Sequence, residues 1–293
     1  VRIARRIVLS ILAVGLGLYL LILIWFWANQ DSLVFFPERG KIPAPPAYLG
    51  GEARAARFTG QSGGLVAWVI PPPTAADSAR WVLILHGNAG NLATPGRPEH
   101  DRQLHDLGLG VLAPDYRGYG ESEGKPSEAG LYADAQSAYD FLRDSLRVPP
   151  NRIVIYGHSL GSAVATQLAT SVEAAGLILE GSFTSVADLG QEIYPWVPVR
   201  WLSRNRFDSK GRIGNLRMPL LMIHGRNDMT VPLAQGRRLF AAAPEPKTFL
   251  EVPGGHDDPS KWVSRLTRRV FGAFSARFGA SEHEAGRAVY LKA

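Results

Sequence analysis

Four short segments carry residue types suited to acyl-transfer chemistry, each just after an apolar run. The first is Gly157-His158-Ser159-Leu160-Gly161, a G-x-S-x-G pentapeptide between the run Ile153–Tyr156 and a helix-forming stretch. A chain that turns from strand to helix within a few residues needs small neighbours around a strained centre. The turn leaves the serine hydroxyl exposed at a helix N-terminus, whose dipole favours negative charge. Ser159 is therefore the candidate nucleophile. The second segment is His86-Gly87-Asn88-Ala89-Gly90-Asn91. A tetrahedral oxyanion needs two fixed N–H donors. Leu160 N–H, behind the serine, and Asn88 N–H, in a glycine-bearing loop, are the candidates, and His86 reads as a histidine that braces this loop.

The third segment, His224-Gly225-Arg226-Asn227-Asp228, precedes Val231-Pro232 and offers Asp228 as the acid that orients a histidine. An aspartate in such a turn also serves as a helix cap. Glu180, at the end of the run Leu177–Leu179, is the rival acid, and Asp228 is preferred. The fourth segment, Pro253-Gly254-Gly255-His256-Asp257-Asp258, supplies His256 as the general base, on a loop made flexible by two glycines. Asp257 and Asp258 read as the start of a final helix. One histidine beside carboxylates is too thin a ligand set for a metal, so neither a metal nor a cofactor is expected.

These residues require a frame that brings them together. Strand candidates are Leu65–Ile70, Trp81–Leu85, Gly110–Pro114, Ile153–Tyr156, Leu177–Leu179, Leu220–Ile223 and Thr248–Val252. Helix candidates are Pro98–Leu107, Glu128–Leu146, Leu160–Val172, Leu233–Ala242 and Ser260–Phe278. Strands alternating with helices predict βαβ units and a mostly parallel sheet, with all four segments on the rim at the strands' C-terminal ends.

The chain has 293 residues, 46% hydrophobic and 20% charged, which excludes a disordered polymer. Cysteine is absent, and with it disulfides, thiolate metal sites and a cysteine nucleophile. Of the net charge of +6, half comes from Arg2, Arg5 and Arg6, so the remainder leaves no nucleic-acid footprint. Those arginines precede 22 residues without a charge, Ile7–Ala28, enough to cross a bilayer. No small-x-small cleavage site follows, which predicts an uncleaved signal anchor over residues 1–30. The positive-inside rule leaves the N-terminus in the cytoplasm and the bulk of the chain outside it, in the periplasm if the source is Gram-negative. Residues 31–60 are expected to be linker and first strand, residues 61–280 the catalytic domain, and residues 281–293 a tail.

With Asp115-Tyr116-Arg117-Gly118-Tyr119-Gly120 and Phe207-Asp208-Ser209 added, the segments resemble the α/β-hydrolase fold. More narrowly, they are similar to its membrane-anchored bud-emergence-type group, to lysophospholipases and to serine aminopeptidase-like hydrolases. The resemblance runs from about Leu33 to Phe278. It implies Ser159, Asp228 and His256 as a triad, Asn88 and Leu160 as oxyanion-hole residues, and the Asp115–Gly124 loop as a brace. A short insert, Thr184 to Arg206, stands where larger relatives carry a lid. Its Trp196 and Trp201 are the candidate substrate-binding residues, at the bilayer interface. The expected activity is serine-dependent hydrolysis of carboxylic esters, lipid-like ones favoured, with the bilayer as partner. Amide or peptide cleavage is the alternative within enzymes. A tethered binding protein on an inactive scaffold is the alternative outside them.

Overall fold

Strand Trp81–Leu85 shows the pattern on which the fold is built. Leu83 and Leu85 face one core, Val82 and Ile84 the other, and all four are buried. A strand buried on both faces belongs inside a parallel sheet covered by helices. The computed structural model, which describes residues 2–50, 52–61, 63–74, 79–257 and 289–292, has that architecture. The helix expected over Ser260–Phe278, together with Asp258, lies outside the described residues.

The chain begins with α1 (Arg2–Ala28), a helix with no buried residue that is long and apolar enough to cross a membrane. The stretch 31–60, read as linker and first strand, carries short ordered elements. These are α2 (Gln30–Val34), β1 (Phe36–Pro37) and β2 (Arg54–Gly60). There follow β3 (Gly63–Ile70), β4 (Trp81–Leu85), β5 (Ala89–Gly90), α3 (Arg97–His105), β6 (Gly110–Pro114), α4 (Glu128–Asp140), β7 (Ile153–His158) and α5 (Leu160–Ala169). The second half holds β8 (Gly176–Glu180), α6 (Val186–Ile193), α7 (Val199–Leu202), α8 (Ser209–Ile213), β9 (Leu220–Gly225), α9 (Leu233–Ala242), β10 (Lys247–Val252) and β11 (Val289–Lys292).

Among the described residues the main sheet has the order β11-β10-β9-β8-β7-β4-β6-β3-β2, parallel except where β3 meets β2 and β6. Its two faces form two cores. One packs the sheet against α4, α5 and α9 through residues such as Leu131, Leu168 and Leu239. The other includes Trp68, Tyr156 and Leu104 of α3. The parallel order places the ends of β4, β7, β8, β9 and β10 on one rim. The insert between β8 and β9 folds as α6 and α7. Pro195 and Pro198 lie between these helices and keep them short.

That insert lies along the end of α1. Tyr19 donates its hydroxyl to Trp196 O at 2.8 Å, and the Phe26 ring meets Tyr194 and Trp196 edge-on, centroids 5.2 and 6.0 Å away. Gln30 bonds Leu202 O and Arg204 N–H at 2.9 and 2.6 Å, Asn205 donates to Asp31 at 2.7 Å, and the Arg204 guanidinium lies over Trp27.

Candidate active site

Ser159 stands where β7 turns into α5. Its backbone has φ 53°, a conformation that costs a non-glycine residue about 1–3 kcal/mol and persists only when neighbours impose it. Two glycines let them do so. A Cβ on Gly161 would lie 1.9 Å from Leu85 O, and one on Gly157 would lie 2.3 Å from Gly161 O. Only glycine lets α5 begin so close to the end of β4. On the other side Ser159 N–H donates to Glu180 O at 2.9 Å, so the turn is fixed between β4 and β8.

The loops after β9 and β10 bring two side chains to this serine. His256 Nε2 is 2.8 Å from Ser159 Oγ, and its Nδ1 is 2.7 Å from Asp228 Oδ2. The other carboxylate oxygen of Asp228 accepts from Thr230 N–H at 2.9 Å and Val231 N–H at 2.7 Å, which sets its orientation. Burial opposes charge on both groups. Burial is the largest single influence, but the bond between them, their opposite charges and the Val231 N–H on Asp228 together outweigh it, holding Asp228 below and His256 above its ordinary range. Glu180 is placed otherwise. It takes the hydrogen bond of the buried Tyr156 hydroxyl, while Asp228 occupies His256 Nδ1.

The loop after β4 passes against the serine: a Cβ on Gly87 would lie 3.3 Å from Ser159 Cβ. His86 is buried with Nδ1 2.7 Å from Gly87 O and Nε2 3.2 Å from Asp115 Oδ1, and burial, aided by Arg97, lowers its pKa. It braces the loop and does not touch Ser159 Oγ. Neither Asn88 N–H nor Leu160 N–H meets an acceptor among the described residues.

The loop is held from three directions. Phe36 N–H donates to Asn88 O and Glu38 N–H to Gly90 O, each at 2.9 Å, so β1 runs parallel to β5 as a two-residue ladder. Tyr119 donates its hydroxyl to Asn88 O at 2.7 Å, and Tyr116 donates to His86 O at 3.2 Å. Arg97 donates to Ala89 O and Asn91 O.

A cavity of about 430 Å³ opens beside Ser159, beneath α3. Its lining includes His256, Asn88, Arg97, Asp101, His158 and Tyr156. Trp196 and Trp201 are not among the lining residues: Trp196 lies on α1, and Trp201 is 92% exposed. The β1–β5 ladder and the polar wall of α3 were missed from sequence. Two-residue strands leave no periodicity to read. The wall leaves one trace, the polar run Glu99-His100-Asp101-Arg102 in a helix that covers a sheet.

Residues 81–283 match the family described as Alpha/beta hydrolase family. An uncharacterized protein of Mycobacterium tuberculosis is 41% identical over 246 residues, covering 84% of this chain and 86% of that one. A lysophosphatidylserine lipase of Danio rerio is 35% identical over 186 residues, covering 57% of this chain and 48% of the lipase. Among solved structures, an esterase of Pyrococcus furiosus superposes with TM-score 0.67 at 20% identity, over 83% of this chain and 98% of that one, a likeness of fold.

The wedge at Gly161 is open to direct test. Gly161→Ala should destabilise the chain by about 1–3 kcal/mol, because α5 must move off the Leu85 carbonyl. A fall in the urea midpoint at unchanged m-value checks it, and an unchanged midpoint would contradict the packing described.

Proposed function

Because the chain belongs to the α/β-hydrolase family, we propose that it is a membrane-anchored serine hydrolase that cleaves carboxylic esters through an acyl-enzyme. One observation carries the reading: Ser159, His256 and Asp228 form a continuous hydrogen-bonded row at the edge of a cavity. A serine hydroxyl is a weak nucleophile until a base takes its proton as it attacks. His256 Nε2, 2.8 Å from Oγ, is within that reach. Asp228 holds Nδ1 protonated and offsets the charge that His256 gains.

The steps then balance on this chain's own groups and water. Ser159 Oγ bonds to the ester carbonyl carbon while its proton passes to His256 Nε2. The negative oxygen lies between Asn88 N–H and Leu160 N–H, donors that no protein acceptor occupies among the described residues. The carbon–oxygen bond to the alcohol breaks, and the alcohol leaves with the proton from His256. Water, deprotonated by the same nitrogen, then releases the acid and restores Ser159. The Danio rerio lipase and the Pyrococcus furiosus esterase favour esters as the substrate class.

The anchor part of the proposal rests on α1, on the three arginines before its apolar run, and on the insert packed along it. The N-terminus is then cytoplasmic and the catalytic domain extracytoplasmic. Tyr19 is nine residues before Ala28, about 13 Å down the helix at ~1.5 Å per residue. Its bond to Trp196 O ties the insert to α1 at that depth, and on this reading Trp196 and the exposed Trp201 face lipid rather than the cavity. Lipid-like esters are the favoured substrates.

Ser159→Ala should lower hydrolysis of 4-nitrophenyl esters by about 10⁴–10⁶ and abolish fluorophosphonate labelling. Turnover near that of the unchanged protein would overturn the assignment. Asp228→Asn should cost about 10⁴ and Glu180→Gln far less, and the reverse order would move the acid to β8. The pH profile carries a sign. His256 works as a base only when neutral, and its pKa lies above the ordinary 6.5. Activity should therefore fall as pH drops, with a midpoint above 6.5. A midpoint at or below that of a free histidine would remove Asp228 as its partner. For the membrane part, Trp201→Ala should lower hydrolysis of vesicle-borne esters by about tenfold, the loss of ~1.5 kcal/mol of aromatic burial. Hydrolysis of a soluble short-chain ester should stay unchanged, and equal losses on both would assign the tryptophan to holding the insert.

A further inference from the structure

Helix α3 turns a polar face to the sheet. His100 and Asp101 are 9% and 2% exposed, where a helix covering a sheet ordinarily presents aliphatic side chains. Asp101 makes no hydrogen bond or ion pair with any described residue. His100 Nε2 is buried and likewise without a partner among them, its ring 5.0 Å from that of Tyr156. Both residues line the cavity that holds Ser159 and His256. A carboxyl that faces a cavity with no protein donor on it is free to take a donor from a ligand there.

The charges of the lining say which ligand. Carboxyl groups come from Asp101, Glu180 and, at the solvent-facing side, Asp257. The one Lys or Arg among the described lining residues is Arg97, whose guanidinium donates to two loop carbonyls. Three of the four lining histidines are turned away from the charged form: burial lowers His86, takes His100 down to about 4 and takes His158 down to about 3, while His256 is held by Asp228. The wall thus has acceptors in excess of cations, beside apolar surface from Ile84, Leu92 and Ala113.

We propose that Asp101, with His100 beside it, forms a subsite for a protonated amine carried on one arm of the substrate, joined to the ester by an apolar chain. Its part in turnover rests on the hydrolase reading above, whereas the binding of the amine does not. Burial raises the Asp101 carboxyl to about 8, against the pull of Arg97, so the carboxylate gains from a cation placed beside it. An ammonium at hydrogen-bond distance favours the carboxylate and forms a charge-assisted bond with it. The aliphatic residues cover the chain that leads back to Ser159. Asp101 is on this account a specificity-determining residue, apart from the groups that handle the proton.

Calorimetry on the detergent-solubilised full chain tests this, with n-hexylammonium and 1-hexanol as probes. The ammonium should bind about tenfold more tightly than the alcohol, the scale of one charge-assisted bond net of desolvation. Asp101→Asn should remove the preference and Asp101→Glu should keep it. Equal binding of the two probes by the unchanged protein overturns the proposal, whether or not the variants fold. So does a preference that survives in Asp101→Asn. Kinetics supply the second readout. 4-Nitrophenyl 6-aminohexanoate is compared with 4-nitrophenyl heptanoate for the acyl arm, and 2-aminoethyl with propyl heptanoate for the alcohol arm. One pair should show a kcat/KM preference for the amine that Asp101→Asn abolishes and Asp101→Glu keeps. Turnover of all four esters without preference overturns the subsite and leaves the hydrolase standing. Asp101-dependent ammonium binding without turnover of any ester does the reverse.

Discussion

The rest of the site is measured from the backbone of Ser159. A serine at φ 53° exists here because α5 starts against the carbonyls that end β4, a closeness only Gly161 permits. The same turn points Leu160 N–H outward and lifts Oγ above the sheet. It also sets where an imidazole must arrive from β10 and a carboxylate from β9. His86 O, 2.5 Å from where a Gly161 Cβ would sit, accepts the Tyr116 hydroxyl as well, so the loop after β6 is tied to the same point. A displacement of this turn would move Leu160 N–H and Ser159 Oγ together.

Asn88 owes its position to distant parts of the chain. Phe36 and Glu38 hold its loop by backbone bonds, Tyr119 by a hydroxyl, and Arg97 by two donors. Each such bond is worth about 0.5–1.5 kcal/mol net, and together they order a glycine-bearing loop before any substrate arrives. Electrostatic stabilisation of a developing charge depends on dipoles that need not reorient at that moment. The ladder from β1 is the unusual member, because it belongs to the segment that leaves α1. A stretch rich in proline and glycine thereby becomes a support of the loop.

What was legible in the sequence was local. β4, β6 and α9 fall on the expected residues, because apolar runs bounded by Gly, Pro or Asp state their own limits. β7 and β9 run two residues further than expected, and β8 one residue further at each end, since pairing continues into the small and polar residues of the turns. Ser159, Asp228 and His256 stood out because each needs a particular turn after a strand, and turn chemistry is written in adjacent residues. Other features arise between segments far apart in the chain. Nothing in Phe36-Pro37 announces a partner at Ala89-Gly90, nor in Tyr19 a bond to Trp196. Asp101 was hidden in another way: on a helix read by its period, one polar residue on the inner face looks like noise until the cavity beside it is seen.

Only seven residues separate Ala28 from β1, and five of them form α2, so there is little slack between the helix and the β1–β5 ladder beside the site. Side-chain bonds from Gln30 and Asp31 to the insert close the same joint a second time. With α1 in a bilayer, the joint works as a gauge of height and angle. Ser159 would then be kept at one distance from the lipid plane, and the domain could not roll over that plane as a body on a flexible stalk would. A helix whose apolar length exceeds the local hydrocarbon thickness tilts to fit it. Here that tilt would pass undamped into the sheet and turn the mouth of the cavity toward or away from the lipid surface. Bilayer thickness, a property of the host membrane and not of any substrate, would in this way set how readily a lipid-borne ester reaches the serine.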